Sequence, residues 1–155
     1  MIYISHRGNI NGRIEDAENK PEYIDDTLRL GFDVEIDVWY IDNTWWLGHD
    51  GPQYQIDLDW IEKRSDRLWV HCKNIQAVEY FFENETDCKE INWFWHEGDT
   101  LTLTSYGYVW AYPGKQPIKK SIAVMPEIHN DNISNCIGIC SDVIEKYKNE
   151  NISTK

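Results

Sequence analysis

The sequence predicts an α/β domain on parallel strands, and three observations carry that expectation. Short runs of β-branched and aromatic residues alternate with helix-patterned segments, an order that brings successive strands parallel. The clearest strand, Asp33-Val34-Glu35-Ile36-Asp37-Val38, places Val34, Ile36 and Val38 on one face and Glu35 and Asp37 on the other. An apolar face under helices and an acidic face turned inward suits a barrel strand carrying a site, although the alternation alone more often marks a half-exposed strand with its acids in solvent. Third, the helical patterning largely ends after residue 95 in a chain of 155 residues, against the ~250 residues of an ordinary (β/α)₈ barrel. The expected fold is therefore α/β, a compact or truncated TIM-type (β/α) barrel with helices missing in its second half. It forms one domain over residues 1–148, followed by a polar C-terminal tail over 149–155.

Each element has a local reason. Tyr3-Ile4-Ser5 opens as a short strand ending at His6-Arg7-Gly8. After a polar loop, Pro21 to Leu30 reads as a helix, with Pro in its first turn, acids early, Arg29 late and Gly31 as its stop. Phe32 to Ile41 is the long strand, and Asp42-Asn43 turns it back into Trp45-Trp46-Leu47 as a hairpin. Leu58 to Arg64 is a short helical segment, Leu68 to Cys72 a strand, and Ile75 to Phe82 a helix whose apolar face joins Ile75, Val78, Phe81 and Phe82. Ile91 to Trp95, Leu101 to Thr104, Tyr108 to Tyr112, Ile122 to Met125 and Cys136 to Ile139 are strands, and Asp142 to Lys148 is a last helix.

The composition, 41% hydrophobic and 14% aromatic with 27% charged residues, is that of a chain with a buried core. Acids outnumber bases 27 to 15, a formal charge of −12. That field repels phosphate backbones and anionic membrane surfaces, which argues against nucleic-acid binding, and it concentrates cations. No run approaches the ~20 apolar residues of a membrane span, and the N-terminus lacks the pattern of a signal peptide, so a cytoplasmic location is expected. Cys72, Cys88, Cys136 and Cys140 form no Cys-x-x-Cys pair and read as reduced, mostly buried thiols. A barrel short of helices exposes strand faces, which favours self-association without fixing an oligomeric state.

The chemistry gathers around the acidic strand. Glu35 and Asp37 lie two residues apart, ~6.6 Å along a strand, so both carboxylates can reach one hard divalent cation. Of the five histidines, His6, His49, His71 and His96 each end or nearly end a strand-like run, whereas His129 falls in a loop and reads as structural. A single strand-end histidine is more often a satisfied structural residue. Four of them are harder to dismiss, because parallel barrel strands gather their C-terminal ends at one mouth.

In that order, His6-Arg7-Gly8, Glu35-Ile36-Asp37 and Gly48-His49-Asp50 resemble the signature of the glycerophosphodiester phosphodiesterase family. Pro21-Glu22, Leu30-Gly31 and Gly138-Ile139-Cys140-Ser141-Asp142 are lesser echoes; the resemblance runs over residues 1–75, thins to about 135, and returns at the C-terminus. It implies that Glu35 and Asp37 hold Mg²⁺ or Ca²⁺, that His6 and His49 are the general acid/base pair, and that Arg7 contacts a phosphate oxygen. Lys73 would add positive charge beside the phosphodiester. The family's third carboxylate ligand falls at His71. Imidazole suits Zn²⁺ or Mn²⁺ better than Mg²⁺ or Ca²⁺, so either the metal preference is shifted, another carboxylate such as Glu97 or Glu127 completes the shell, or the site is weakened.

The function these residues lead one to expect is a metal-dependent phosphodiesterase that cleaves glycerophosphodiesters or related lysophospholipid headgroups, a small phosphodiester being the partner. Positive charge on the non-bridging oxygens offsets the repulsion between the diester anion and a nucleophile. One histidine takes a proton from the attacking hydroxyl and the other protonates the departing alkoxide. The alternative is a catalytically degenerate homologue that binds a phosphorylated ligand without turnover, and a third, weaker reading is a sugar-binding module suggested by the eight tryptophans. Those tryptophans read first as core that replaces missing helices, and only second as an aromatic wall around a choline or glycerol headgroup.

Overall fold

The computed structural model describes residues 1–153, with side chains placed to residue 150. In chain order the elements are β1 (Ile2–His6), α1 (Pro21–Arg29), β2 (Asp33–Ile41), β3 (Thr44–Leu47), β4 (Tyr54–Ile56), α2 (Leu58–Glu62), β5 (Leu68–Cys72), α3 (Ile75–Glu83), β6 (Trp93–Trp95), β7 (Leu101–Leu103), β8 (Val109–Ala111), β9 (Ser121–Val124), a 3₁₀ turn (Pro126–Ile128), β10 (Gly138–Ser141) and α4 (Ile144–Ser153). All ten strands belong to one sheet. β2 is long enough to serve three partners. Its first half lies between β1 and β5, parallel to both, and its second half folds back antiparallel through β3, which carries β4. From β1 the sheet continues parallel through β10, β9 and β8, and beyond β5 it continues to β6. β7 closes that side antiparallel to β8.

This is a curled mixed sheet, a half-barrel, and it corrects the expected TIM-type α/β barrel of alternating strands and helices. The reason is the length of the connections. Residues 96–100, 104–108 and 112–120 join β6, β7, β8 and β9 without an α-helix, and only the 3₁₀ turn interrupts residues 125–137. A helical crossover needs a dozen or more residues, so after β6 the chain turns back on itself or crosses as bare loop. Helices cover the sheet only beside its first half and, through α4, beside β1 and β10.

Three packed clusters follow from strand alternation. Val34, Ile36, Val38, Val70 and Cys72 face outward against Ile24 of α1, Ile61 of α2, and Ala77, Val78 and Phe81 of α3. Ile139 and Ala123 pack outward against Ile144 and Tyr147 of α4. Ile4, Trp69, Phe94, Trp110, Ile122, Val124 and Cys140 face inward and fill the floor of the concave side. Thus Trp69 and Trp110, together with Trp45 in the outer cluster, serve as core. The four cysteines are free and buried.

Two helix starts are capped by side chains: Asp57 accepts from the Trp60 amide and Asn74 from the Ala77 amide. Asp42 and Asn43 both take positive φ, 49° and 60°, the conformation of a two-residue hairpin turn. The apolar face expected on α3 is narrower than its pattern, because Ile75 and Phe82 point to solvent at 46% and 65% exposure. α4 runs through Ser153 and so takes in most of the expected tail; residues 154–155 lie outside the described residues. Among the described residues no helix is long and apolar enough to cross a membrane.

Candidate active site

The C-terminal ends of β1, β5, β6, β8, β9 and β10, with the first half of β2, open on one cavity of about 710 Å³. Its lining includes His6, Arg7, Glu35, His49, His71 and Lys73. The inward alternation that sets Ile4 and Trp69 in the floor carries His6, Glu35, Asp37 and His71 one layer higher, toward that cavity.

The turn after β1 is shaped for Arg7. Its φ is +56°, an uncommon left-handed conformation for arginine. The Arg7 amide donates to the Glu35 carbonyl and the Asn19 amide donates to the Arg7 carbonyl, so the residue is pinned on both sides. At the following Gly8, φ +95°, a Cβ would lie 2.6 Å from the Tyr23 ring, which only glycine avoids.

Glu35, Asp37 and His71 are 3%, 0% and 7% exposed, and they offer ligand atoms within 4.8 Å of one another. His71 Nδ1 stands 3.2 Å from Asp37 Oδ1 and 3.7 Å from Glu35 Oε1. Lys73 Nζ lies 3.5 Å from Asp37 Oδ1, and Arg7 Nε lies 2.9 Å from Asp37 Oδ2 but out of hydrogen-bond alignment, so that contact is one of charge. Asn19 completes the setting of Asp37, donating to Oδ2 at 2.9 Å and accepting from the Asp37 amide at 3.0 Å. Burial pushes the Asp37 carboxyl up, but His71, Arg7 and Lys73 outweigh it and hold the group well below the usual carboxylate range. Burial likewise opposes the charged form of His71, and the close carboxylates of Asp37 and Glu35 reverse this, raising its pKa. Among the described residues, three buried atoms in the cluster, Glu35 Oε2, Asp37 Oδ1 and His71 Nε2, have no hydrogen-bond partner, only ionic neighbours of the two carboxylates at 3.2–4.0 Å. Unpaired buried acceptors of this kind are costly unless a cation or water meets them, and two carboxylates with an imidazole are a fitting donor set for a divalent ion.

His6 is held from behind. Its Nδ1 lies 2.8 Å from Asp142 Oδ1, which also accepts from Asn9 Nδ2 at 2.9 Å, and its Nε2 points toward Glu35 Oε2 at 4.0 Å. Burial raises the Asp142 pKa, and the bond and charge of His6 with the Asn9 bond more than offset this, leaving it lowered. Glu18 gathers Arg7, Asn9 and Arg13 beside this pair. His49, on the loop after β3, lines the cavity at its rim with Nδ1 2.6 Å from the exposed Asp50. Across the cavity, His96 and Tyr112 form a bonded pair with the hydroxyl 2.8 Å from His96 Nε2. Burial, with His71 and Lys73 adding to it, lowers the His96 pKa to about 4, and burial with Glu35 and Asp37 raises that of Tyr112 to about 12.

The fold thus assembles His6, Arg7, Glu35, Asp37, His71 and Lys73, with His49 at the rim. Of the two carboxylates weighed as replacement ligands, Glu97 lines the cavity outside the three-residue cluster, and Glu127 is taken by Ser141 and Tyr147. His129 is exposed and does not line the cavity. Sequence reasoning gave no role to Asn9, Glu18, Asn19 or Tyr112, and saw Asp142 only as part of a terminal motif. Asn9, Glu18 and Asn19, before β2, lie in a polar loop without periodicity, Tyr112 directly follows β8 as one aromatic among many, and only Asp142 had a signal, a carboxylate just after a strand end. No family model, curated protein or solved structure that was compared with this chain matches it.

Proposed function

We propose that this cavity is a divalent-cation-assisted phosphodiesterase site, acting on glycerophosphodiesters or related lysophospholipid headgroups. The observation that carries the reading is the set of buried atoms without a hydrogen bond on Glu35, Asp37 and His71, beneath a cavity that Glu35 and His71 line together with three further imidazoles, two arginines and a lysine. A divalent ion held by these three residues would supply positive charge to the non-bridging oxygens of the diester. Arg7 and Lys73, already drawn to Asp37, would share their positive charge with a phosphate oxygen. His6, whose Nδ1 is fixed by Asp142, presents Nε2 to the cavity as a group that takes or returns a proton. His49 at the rim would serve the opposite end of the scissile bond.

A second reading, binding of a phosphorylated ligand without turnover, is favoured by one feature: Asp37 is already matched by two cationic side chains, Arg7 and Lys73, with the His71 ring beside it. The two separate in an assay of the purified chain against a chromogenic phosphodiester and glycerophosphocholine, in chelator and with Mg²⁺, Ca²⁺, Mn²⁺ or Zn²⁺. Turnover that needs an ion and disappears in His6→Ala is expected. Ligand binding with no turnover under any ion would replace the first reading with the second.

A further inference from the structure

The cation cluster has a neighbour that packing alone does not require. His96 lies two residues after Phe94, so both turn to the concave side. The His71 ring lies against each of them: its centroid is 4.9 Å from that of Phe94 with planes at 10°, and 4.4 Å from that of His96 with planes at 19°. Phe94 shows that a hydrocarbon ring serves as a stacking partner at this place, yet position 96 carries two ring nitrogens. Tyr112 fixes one edge of that imidazole, its hydroxyl 2.8 Å from Nε2. The hydroxyl faces the edge shared by both nitrogens, 2.8 Å from Nε2 and 3.3 Å from Nδ1. Accepting from Nε2–H, it sets the tautomer that keeps the lone pair on Nδ1, as an outer-shell oxygen does for a metal-binding histidine, and a turn of the ring frees that lone pair for another partner. His71, against which His96 stacks, keeps its own Nε2 buried and unpartnered, as are Glu35 Oε2 and Asp37 Oδ1.

We propose that His96 joins Glu35, Asp37 and His71 as the fourth ligand of the cation site, positioned by Tyr112, and that the site accordingly selects a borderline ion of the zinc class over Mg²⁺ or Ca²⁺. Two imidazoles with two carboxylates match the nitrogen-and-oxygen preference of zinc, whereas magnesium and calcium sites are built of oxygen. His96 stands outside the three residues whose ligand atoms already lie within 4.8 Å, so ligation involves a turn of its half-buried ring toward them. The inference rests on the cation site proposed above.

The test is calorimetric titration of the chelator-stripped full chain with ZnCl₂, MgCl₂ or CaCl₂ alone, for the native chain, His96→Phe, Tyr112→Phe and Glu35→Gln. His96→Phe keeps a ring against His71 and removes the nitrogens. Zinc affinity should fall on the order of 10- to 100-fold in His96→Phe and about tenfold in Tyr112→Phe, with the weak Mg²⁺ and Ca²⁺ affinities unmoved. Native zinc affinity in His96→Phe beside a loss in Glu35→Gln would overturn the fourth ligand and leave the cation site standing. Native affinity in both variants would remove the cation site and this inference together. Should His96→Phe fail to fold, electron spin-echo modulation of the Cu²⁺-loaded native chain counts bound imidazoles: two are expected, and one overturns the proposal.

Discussion

Asp37 illustrates how a candidate ligand can also be tied into the fold. It is fully buried, surrounded by Arg7, His71 and Lys73, and hydrogen-bonded at both its side chain and its amide by Asn19. Removing it leaves buried cations without their counter-charge, a change that costs about 3–5 kcal/mol. Asp37→Ala should therefore lower the urea-unfolding free energy by that amount, while Glu35→Gln, which keeps shape and faces only histidines, should cost under about 1.5 kcal/mol. Equal costs for the two would show that the cations do not depend on Asp37. Asp142 gives a pH-resolved case. Its folded pKa is depressed, so its stabilising contribution is present above the unfolded carboxyl value of roughly 4 and is lost as pH falls through the folded value. In denaturant titrations at a series of pH values, the gap between the native chain and Asp142→Asn should be widest near neutrality and close below about pH 4. A gap independent of pH would mean that Asp142 acts through shape alone.

Among elements, the junction of β2 and α3 depends on one amide side chain. Asn74 Oδ1 accepts from the Tyr40 amide at 3.1 Å and from the Ala77 amide at 3.3 Å, while Nδ2 donates to the Tyr40 carbonyl at 2.8 Å. It caps the helix and replaces a missing strand partner in the same gesture. Asn74→Ala combines a lost cap with backbone groups left unpaired and should cost about 2 kcal/mol by thermal or urea unfolding; a loss below about 0.5 kcal/mol would mean that water takes over both roles. Elements of this kind were the legible part of the sequence. The alternation of β2, the Asp42-Asn43 turn and the Pro21 helix start are local signals, and local physics decides them. β4 was not legible, because Tyr54-Gln55-Ile56 is three residues long and exists only through its pairing with β3. The face of α3 was overread for a related reason: periodicity marks Ile75 and Phe82 as apolar but cannot say that Ile75 stays 46% exposed and that Phe82, 65% exposed, meets the ring of Trp93 in β6 edge-on.

At the scale of the molecule, what the sequence withheld was closure. The His6–Asp142 pair joins residues 136 apart, and β1 meets β10 along four register pairs, so the first and last strands depend on contacts no local pattern encodes. The same length limit that removed helices from the second half leaves its seam thin. Among the described residues β6 pairs only with β5 and β7 only with β8. Between β6 and the β7 region the bonds are isolated ones, Ser105 N to the Trp93 carbonyl, the Trp93 amide to Ser105 Oγ and Thr102 Oγ1 to the Trp95 carbonyl, with Leu101, Leu103 and Phe82 at 45%, 64% and 65% exposure beside them. Few buried contacts and exposed backbone bonds place a segment at the low end of local stability. Amide hydrogen exchange should therefore open residues 101–103 and 93–95 on the order of 100-fold faster than β1, β2 and β10, which lie inside the sheet between two partners. The gradient also bears on the cavity, because His96 leaves β6 and Tyr112 leaves β8, on opposite sides of this seam. If zinc binds through His96, adding ZnCl₂ should slow exchange at residues 93–95 while leaving β10 unchanged. Uniform protection across all ten strands without metal would mean that the seam is sealed by packing, and that the half-barrel needs no ion to hold its open side together.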